Sequence, residues 1–154
     1  MLSAIRSFHP ARWAALALLG GVLLVGQPTD SLAAANGVLH ATGDGFGNLG
    51  IQGSATVSGK GVVWIKDAKG DAAINVTGYD AKRTFDDGWT EYVGFNGTAS
   101  VAGSGFHLAL GLYDATLDAS GHGRVQLRGE GTCTLNGHAC GWERDPTSTK
   151  AMKL

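Results

Sequence analysis

The sequence predicts an all-β domain, an antiparallel β-sandwich or small barrel built from two pseudo-symmetric β-units. Apolar and polar residues alternate with period two in short runs, as in Phe106, Leu108, Leu110 and Leu112 set against His107, Ala109, Gly111 and Tyr113. Turn-type residues punctuate the runs about every eight to twelve positions ("GDG", "GKG", "DAKGD", "GSG", "SGHG"). A glycine-rich pattern is also written twice, "LGIQGSATVSGKG" at 49–61 and "VGFNGTASVAGSG" 44 positions later at 93–105. Past the N-terminal segment no stretch carries a 3.6-residue apolar stripe of helical length. Roughly eight to ten short strands follow from ordinary strand and turn lengths.

The first 35 residues have the layout of a secretory signal peptide. Arg6 and Arg12 precede a 14-residue uncharged apolar run, Trp13 to Gly26, and "SLAAAN" offers an Ala-x-Ala cleavage site ending at Ala35. The run is short for a hydrocarbon core about 30 Å thick, so cleavage is expected rather than anchoring, and contact with a membrane only through an uncleaved signal. Localisation is read as exported, periplasmic or extracellular. The remaining 119 residues carry a net charge of −2 and no run of like charge, which argues against nucleic acid as a partner.

Residues 36–142 form the predicted domain, with an internal duplication over 49–78 and 93–123. In each copy Ile51, Gly53, Ala55, Val57 and Phe95, Gly97, Ala99, Val101 share one face, while Gln52, Ser54, Thr56 and Asn96, Thr98, Ser100 share a solvated one. Glycine weakens a strand interior, so its recurrence predicts a close approach there. The expected occupants are large side chains of the strands that follow, Trp64 after the first copy and Phe106, Leu108 and Leu110 after the second, against Gly53 and Gly97. Weaker copies occur at "LRGEGTC" (127–133) and "ATGDG" (41–45). A solenoid is disfavoured, because a 44-residue offset holds several turns and only two good copies exist. Residues 78–91, "GYDAKRTFDDGWTE", break the alternation and read as the longest connection; 143–154 read as a frayed polar C-terminal tail.

The only cysteines, Cys133 and Cys140, bracket "TLNGHA". Asn136-Gly137 signals a two-residue type I′ hairpin turn, and counting outward pairs Cys133 with Cys140 at a separation a disulfide can bridge. Export favours the bond. A zinc site using Cys133, His138, Cys140 and His122 matches no standard spacing, so no metal and no cofactor are expected.

Catalytic signatures are missing from the sequence. "GSATVSGKG" fails the phosphate-loop pattern, with five residues between Gly53 and Gly59 and Gly61 after Lys60. "GDGFGN" is too short for a calcium loop, no serine lies in a Gly-x-Ser-x-Gly turn, and His40, His107, His122 and His138 read as surface residues. The reading therefore leans against an enzyme and toward an exported non-catalytic β-domain with a binding or envelope-assembly role, its candidate partners an envelope protein or a polysaccharide. The alternative is a small secreted hydrolase or lyase acting on an extracellular polymer, with carboxylates drawn from 78–91 and from Asp114 and Asp118. The candidate binding residues are Arg83, Asp86, Asp87, Trp89 and Tyr92, which combine aromatic faces with charged groups on a connection. A buried Trp89 that only pins the loop is the competing reading.

Overall fold

A computed structural model describes residues 36–154; the expected signal peptide lies outside the described residues. The described chain is all β and antiparallel, with no helix. Two strands dominate it: β1 (Gly37–Asp67) with 31 residues and β4 (Trp89–Leu135) with 47. Short strands β2 (Ala73–Thr77), β3 (Ala81–Thr84), β5 (His138–Gly141) and β6 (Met152–Lys153) each pair with β4.

The expected eight to ten strands separated by turns are thus replaced by long strands that run through the Gly-x-Gly sites. Through most of its length β1 pairs with β4 on both edges, Leu49 for example with Leu108 on one side and Val125 on the other. The registers sort the segments into two lateral series. One runs β5, 131–135, 38–43, 115–121, 53–59, 97–103, β2; the other runs β3, 89–95, 61–67, 106–112, 45–51, 123–129, β6. Each long strand passes back and forth between the series about every eight residues, a bend made where a strand's pairing shifts. Among the described residues the series end on these short strands without closing.

The bends explain the glycines. Five of the crossings are Gly-x-Gly, at 43–45, 59–61, 103–105, 121–123 and 129–131. Gly43 lies opposite Gly131 and Gly53 opposite Gly121, and both residues of the second pair have positive φ, 140° and 137°. A Cβ on Gly53 would strike the carbonyl oxygen of Ser120, and one on Gly121 that of Gln52. Two backbones therefore meet where side chains would stand. This corrects the expectation of bulky side chains over Gly53 and Gly97: at Gly97 the obstacle is likewise backbone, the Thr77 carbonyl. Small against large does occur at Gly47, whose Cβ direction is filled by the Leu110 side chain, with Cδ1 at 2.6 Å.

Both series feed one core. From Leu39 to Ile65 the buried apolar residues of β1 keep odd numbers, and Phe95, Phe106, Leu108, Leu112, Leu117 and Leu127 face them from β4. The two glycine-rich copies lie directly against each other, Gly53 opposite Gly103, Ala55 opposite Val101, Val57 opposite Ala99 and Gly59 opposite Gly97. Ala against Val in both inner rungs fills the core evenly. Trp64 is corrected as well, since Val63 and Ile65 point inward and leave it on the outer face.

Residues 78–91 are not one long connection. β3 forms a hairpin with the start of β4 (Thr84 opposite Thr90), and Asp86 and Asp87 make its tip. Residues 143–154 are not frayed: Leu154 is buried, its amide donates to the Gly123 carbonyl (3.0 Å), and β6 pairs with Arg124 and Val125. Asp67 organises the link from β1 to β2 by accepting the amides of Ala72 (2.9 Å), Gly70 (2.7 Å) and Lys69 (3.1 Å). These bonds, that of Ala72 foremost, hold its carboxyl below the ordinary carboxylate range. The order they bring is present above the usual carboxylate pKa and is lost as pH falls through the lowered one.

Cys133 and Cys140 are bonded, with Cα atoms 5.1 Å apart, across a hairpin whose turn residues Asn136 and Gly137 have φ of 54° and 78°. A bonded pair is compatible with an oxidising compartment. The Asn136 side-chain oxygen also accepts the Val38 amide (2.8 Å), tying the hairpin tip to β1. Because the bond closes a short loop, reduction is expected to lower stability by about 2.5 kcal/mol on the chain-entropy account. Urea midpoints with and without reductant check this, and two free thiols in the oxidised protein would contradict it.

Candidate functional site

The outer face of the second series places aromatic and hydrogen-bonding groups side by side. One lateral row runs Arg128, Phe46, Gly111, Val62, Val93; the next runs Gln126, Asn48, Ala109, Trp64, Glu91, Arg83. Residues two apart on a strand share a face, so both rows point the same way. Ala109 and Gly111 make a low floor. Phe46, 66% exposed, and Trp64, half-buried, rise on either side. The resulting open groove of about 260 Å³ is lined by Phe46, Asn48, Trp64, Ala109, Gln126 and Arg128. From Gln126 to Trp64 it crosses three strand spacings, about 14 Å at roughly 4.8 Å each.

Its polar groups are held in place. The Trp64 indole donates to Glu91 Oε1 (3.2 Å), and Glu91 lies 4.0 Å from the Arg83 guanidinium. Gln126 Nε2 donates to the Thr149 carbonyl (2.8 Å) and Arg128 to that of Pro146 (3.2 Å), so the C-terminal segment fixes the opposite wall. The Gln126 carbonyl oxygen and the remaining guanidinium donors of Arg128 stay available to a ligand.

The structure divides the residues singled out from sequence. Arg83 reaches the groove's end through Glu91, while Asp86 and Asp87 stand exposed at the hairpin tip. Trp89 is half-buried and tilts over His107, ring centres 6.2 Å apart. Tyr92 is 5% exposed, packs edge-on against Tyr79 at 5.0 Å and lies under the Lys82 ammonium, so it anchors the hairpin. The carboxylates considered for acid-base work are not assembled. Asp114 binds Lys60 (3.2 Å) and Asp118 binds His40 (2.7 Å), whereas the hairpin carrying Asp86 and Asp87 pairs near Lys66. Lys60 and Lys66 are six residues apart on β1, about 20 Å of strand. Among the described residues no group of three His, Cys, Asp or Glu side chains is placed to hold a metal.

No protein family, curated protein or solved structure matches the chain. Of the groove residues, sequence reasoning places Trp64 in the core and Phe46 and Asn48 in a turn, and it leaves Gln126 and Arg128 as ordinary residues of a polar strand face. The odd-number rule along β1 would have placed Phe46 and Trp64 outside.

Proposed function

We propose that the chain is an exported, non-catalytic β-domain that binds a saccharide of the cell envelope or its surroundings through the groove between Phe46 and Trp64. One observation carries this reading: two outward aromatic faces flank a floor of alanine and glycine, with side-chain amides and Arg128 at one end and Glu91 with Arg83 at the other. Aromatic faces stack on the apolar faces of sugar rings, and fixed polar side chains set orientation, the usual economy of a small-ligand site. Arg83 contributes at the rim, and Asp86, Asp87 and Trp89 extend the contact along the hairpin, which Tyr92 secures. The two lateral series fit the layers of a sandwich whose strands change layer at their bends. The mutual pairing of the two glycine-rich copies supports a pseudo-two-fold unit. The signal-like N-terminus and the disulfide support export.

Trp64→Ala and Phe46→Ala are each expected to weaken polysaccharide binding by about tenfold or more; the exposed Phe46 should leave the unfolding temperature near that of the parent, whereas loss of the half-buried Trp64 should also cost about 1 to 2 kcal/mol. Affinity electrophoresis against cell-wall and extracellular polysaccharides, with thermal melts alongside, tests the pair. Binding unchanged in both variants rules out the groove. Trp89→Ala separates the hairpin's two roles: a half-buried tryptophan should cost about 1 to 2 kcal/mol, short of the roughly 3 to 5 for a fully buried one.

A further inference from the structure

We infer that the saccharide bound at this groove is acidic, its carboxylates received by a basic strip on the groove's 123–129 edge; this rests on the saccharide reading above. The strip consists of Arg124, Arg128, Arg144 and Lys153. Arg124 and Lys153 sit directly opposite each other across the pairing of β4 with β6, both exposed. Like charges so placed destabilise a sheet. Among the described residues neither has a carboxylate within 4.0 Å, since the one lysine of this region in an ion pair is Lys150, bound to Glu143 at 2.9 Å.

Arg128 continues the strip two rungs beyond Gln126. With Arg144, Phe46 and Pro146 it lines a recess of about 450 Å³ that opens beside the groove. Asp145 accepts the Thr147 amide (2.8 Å) and hydroxyl (2.7 Å) and its charge also acts on Arg128 from the loop side, which leaves Arg124 and Lys153 as the uncompensated pair of the strip. The overall charge of the mature chain is negative, so four cations gathered on one edge are a local segregation that net charge conceals. An opposed cation pair left without acids is relieved by an anion laid across it. An arginine fork receives a carboxylate on two parallel donors, and Phe46 stacks the ring that carries it. The partner chemistry that satisfies both features is a chain of sugars bearing carboxylates. Neutral glycans leave the strip unanswered.

The test uses the mature domain with polygalacturonate, alginate and hyaluronan, each compared with its carboxyl methyl ester. At low salt at least one acid form is expected to bind about tenfold more tightly than its ester, and added salt should erase the difference. The double variant Arg124→Gln, Lys153→Gln should lose that preference while keeping the parent's affinity for the ester and an unfolding temperature no lower than the parent's. Equal affinity for acid and ester overturns the inference and leaves the groove standing. Binding of neither form, or binding indifferent to Trp64→Ala, overturns the groove and the inference with it.

Discussion

Gly53→Ala is expected to damage the protein almost as severely as Gly53→Val. If bulky side chains faced this glycine, a methyl group would be absorbed and only valine would overpack, costing about 1 to 3 kcal/mol. The obstacle is instead the Ser120 carbonyl and the Gly121 Cα, met by the first carbon of any side chain, on a backbone with φ of 140°. A non-glycine residue in such a region costs roughly 1 to 3 kcal/mol from the dihedral alone. Adding displacement of the facing strand gives about 4 kcal/mol or more, a large share of the 5 to 15 typical of a domain. Gly121→Ala should do the same, because the contact is reciprocal. Gly141→Ala is the control: no atom lies within 4 Å of its Cβ direction and its φ is not positive, so it should stay within about 0.5 kcal/mol. Denaturant midpoints for the three variants decide the matter. A stable Gly53→Ala protein would mean that the two strands do not meet at that bend.

Leu154→Ala is expected to cost about 3 kcal/mol, within the range for truncating a buried leucine. A frayed tail would predict no change. Leu154 is 6% exposed and joins the core, and its backbone presses on Gly37 so closely that a Cβ there would come to 2.5 Å. Removing its side chain opens a void at the start of β1 and loosens β6. Hydrogen exchange should show the Leu154 amide, bonded to Gly123, losing protection first. Because Thr149 and Pro146 hold Gln126 and Arg128, the same variant should also weaken the groove.

The all-β class and the terminal hairpin were legible in sequence because each rests on local chemistry. Val125 and Leu127 alternate with Arg124, Gln126 and Arg128 and are buried as that alternation requires. Asn136-Gly137 admits one common turn, which brings the cysteines together. The Gly-x-Gly sites misled because glycine serves a turn and a bend equally well. What distinguishes them is the regular interval and the polar residue between the glycines, Asp44, Lys60, Ser104, His122 and Glu130, which stays at the surface or close to it while the chain carries straight on. The candidate site was half legible. Arg83 stood out by its charged surroundings, whereas Trp64 was read as core by its bulk although parity from Ile51 through Val57 to Val63 places it outside. The tail looked disordered because its ties are backbone carbonyls, which leave no mark in composition.

The continuous double pairing of β1 has a consequence for assembly in time. Its nearest strand partner in sequence is Trp89, opposite Lys66, and its farthest is Leu135, opposite Leu39, 96 residues away. As the chain is synthesised, β1 emerges whole with nothing to pair against; its first half meets partners for one edge only at 106–121 and for the other only at 123–135. Contacts this remote make for slow folding, on the millisecond-to-second scale of non-local β proteins. Until those segments arrive the N-terminal half has nothing with which to form a compact unit, so the chain stays extended longer than one built from local hairpins. The disulfide hairpin, docked on Val38 by Asn136, then fixes the end of β4 against the beginning of β1.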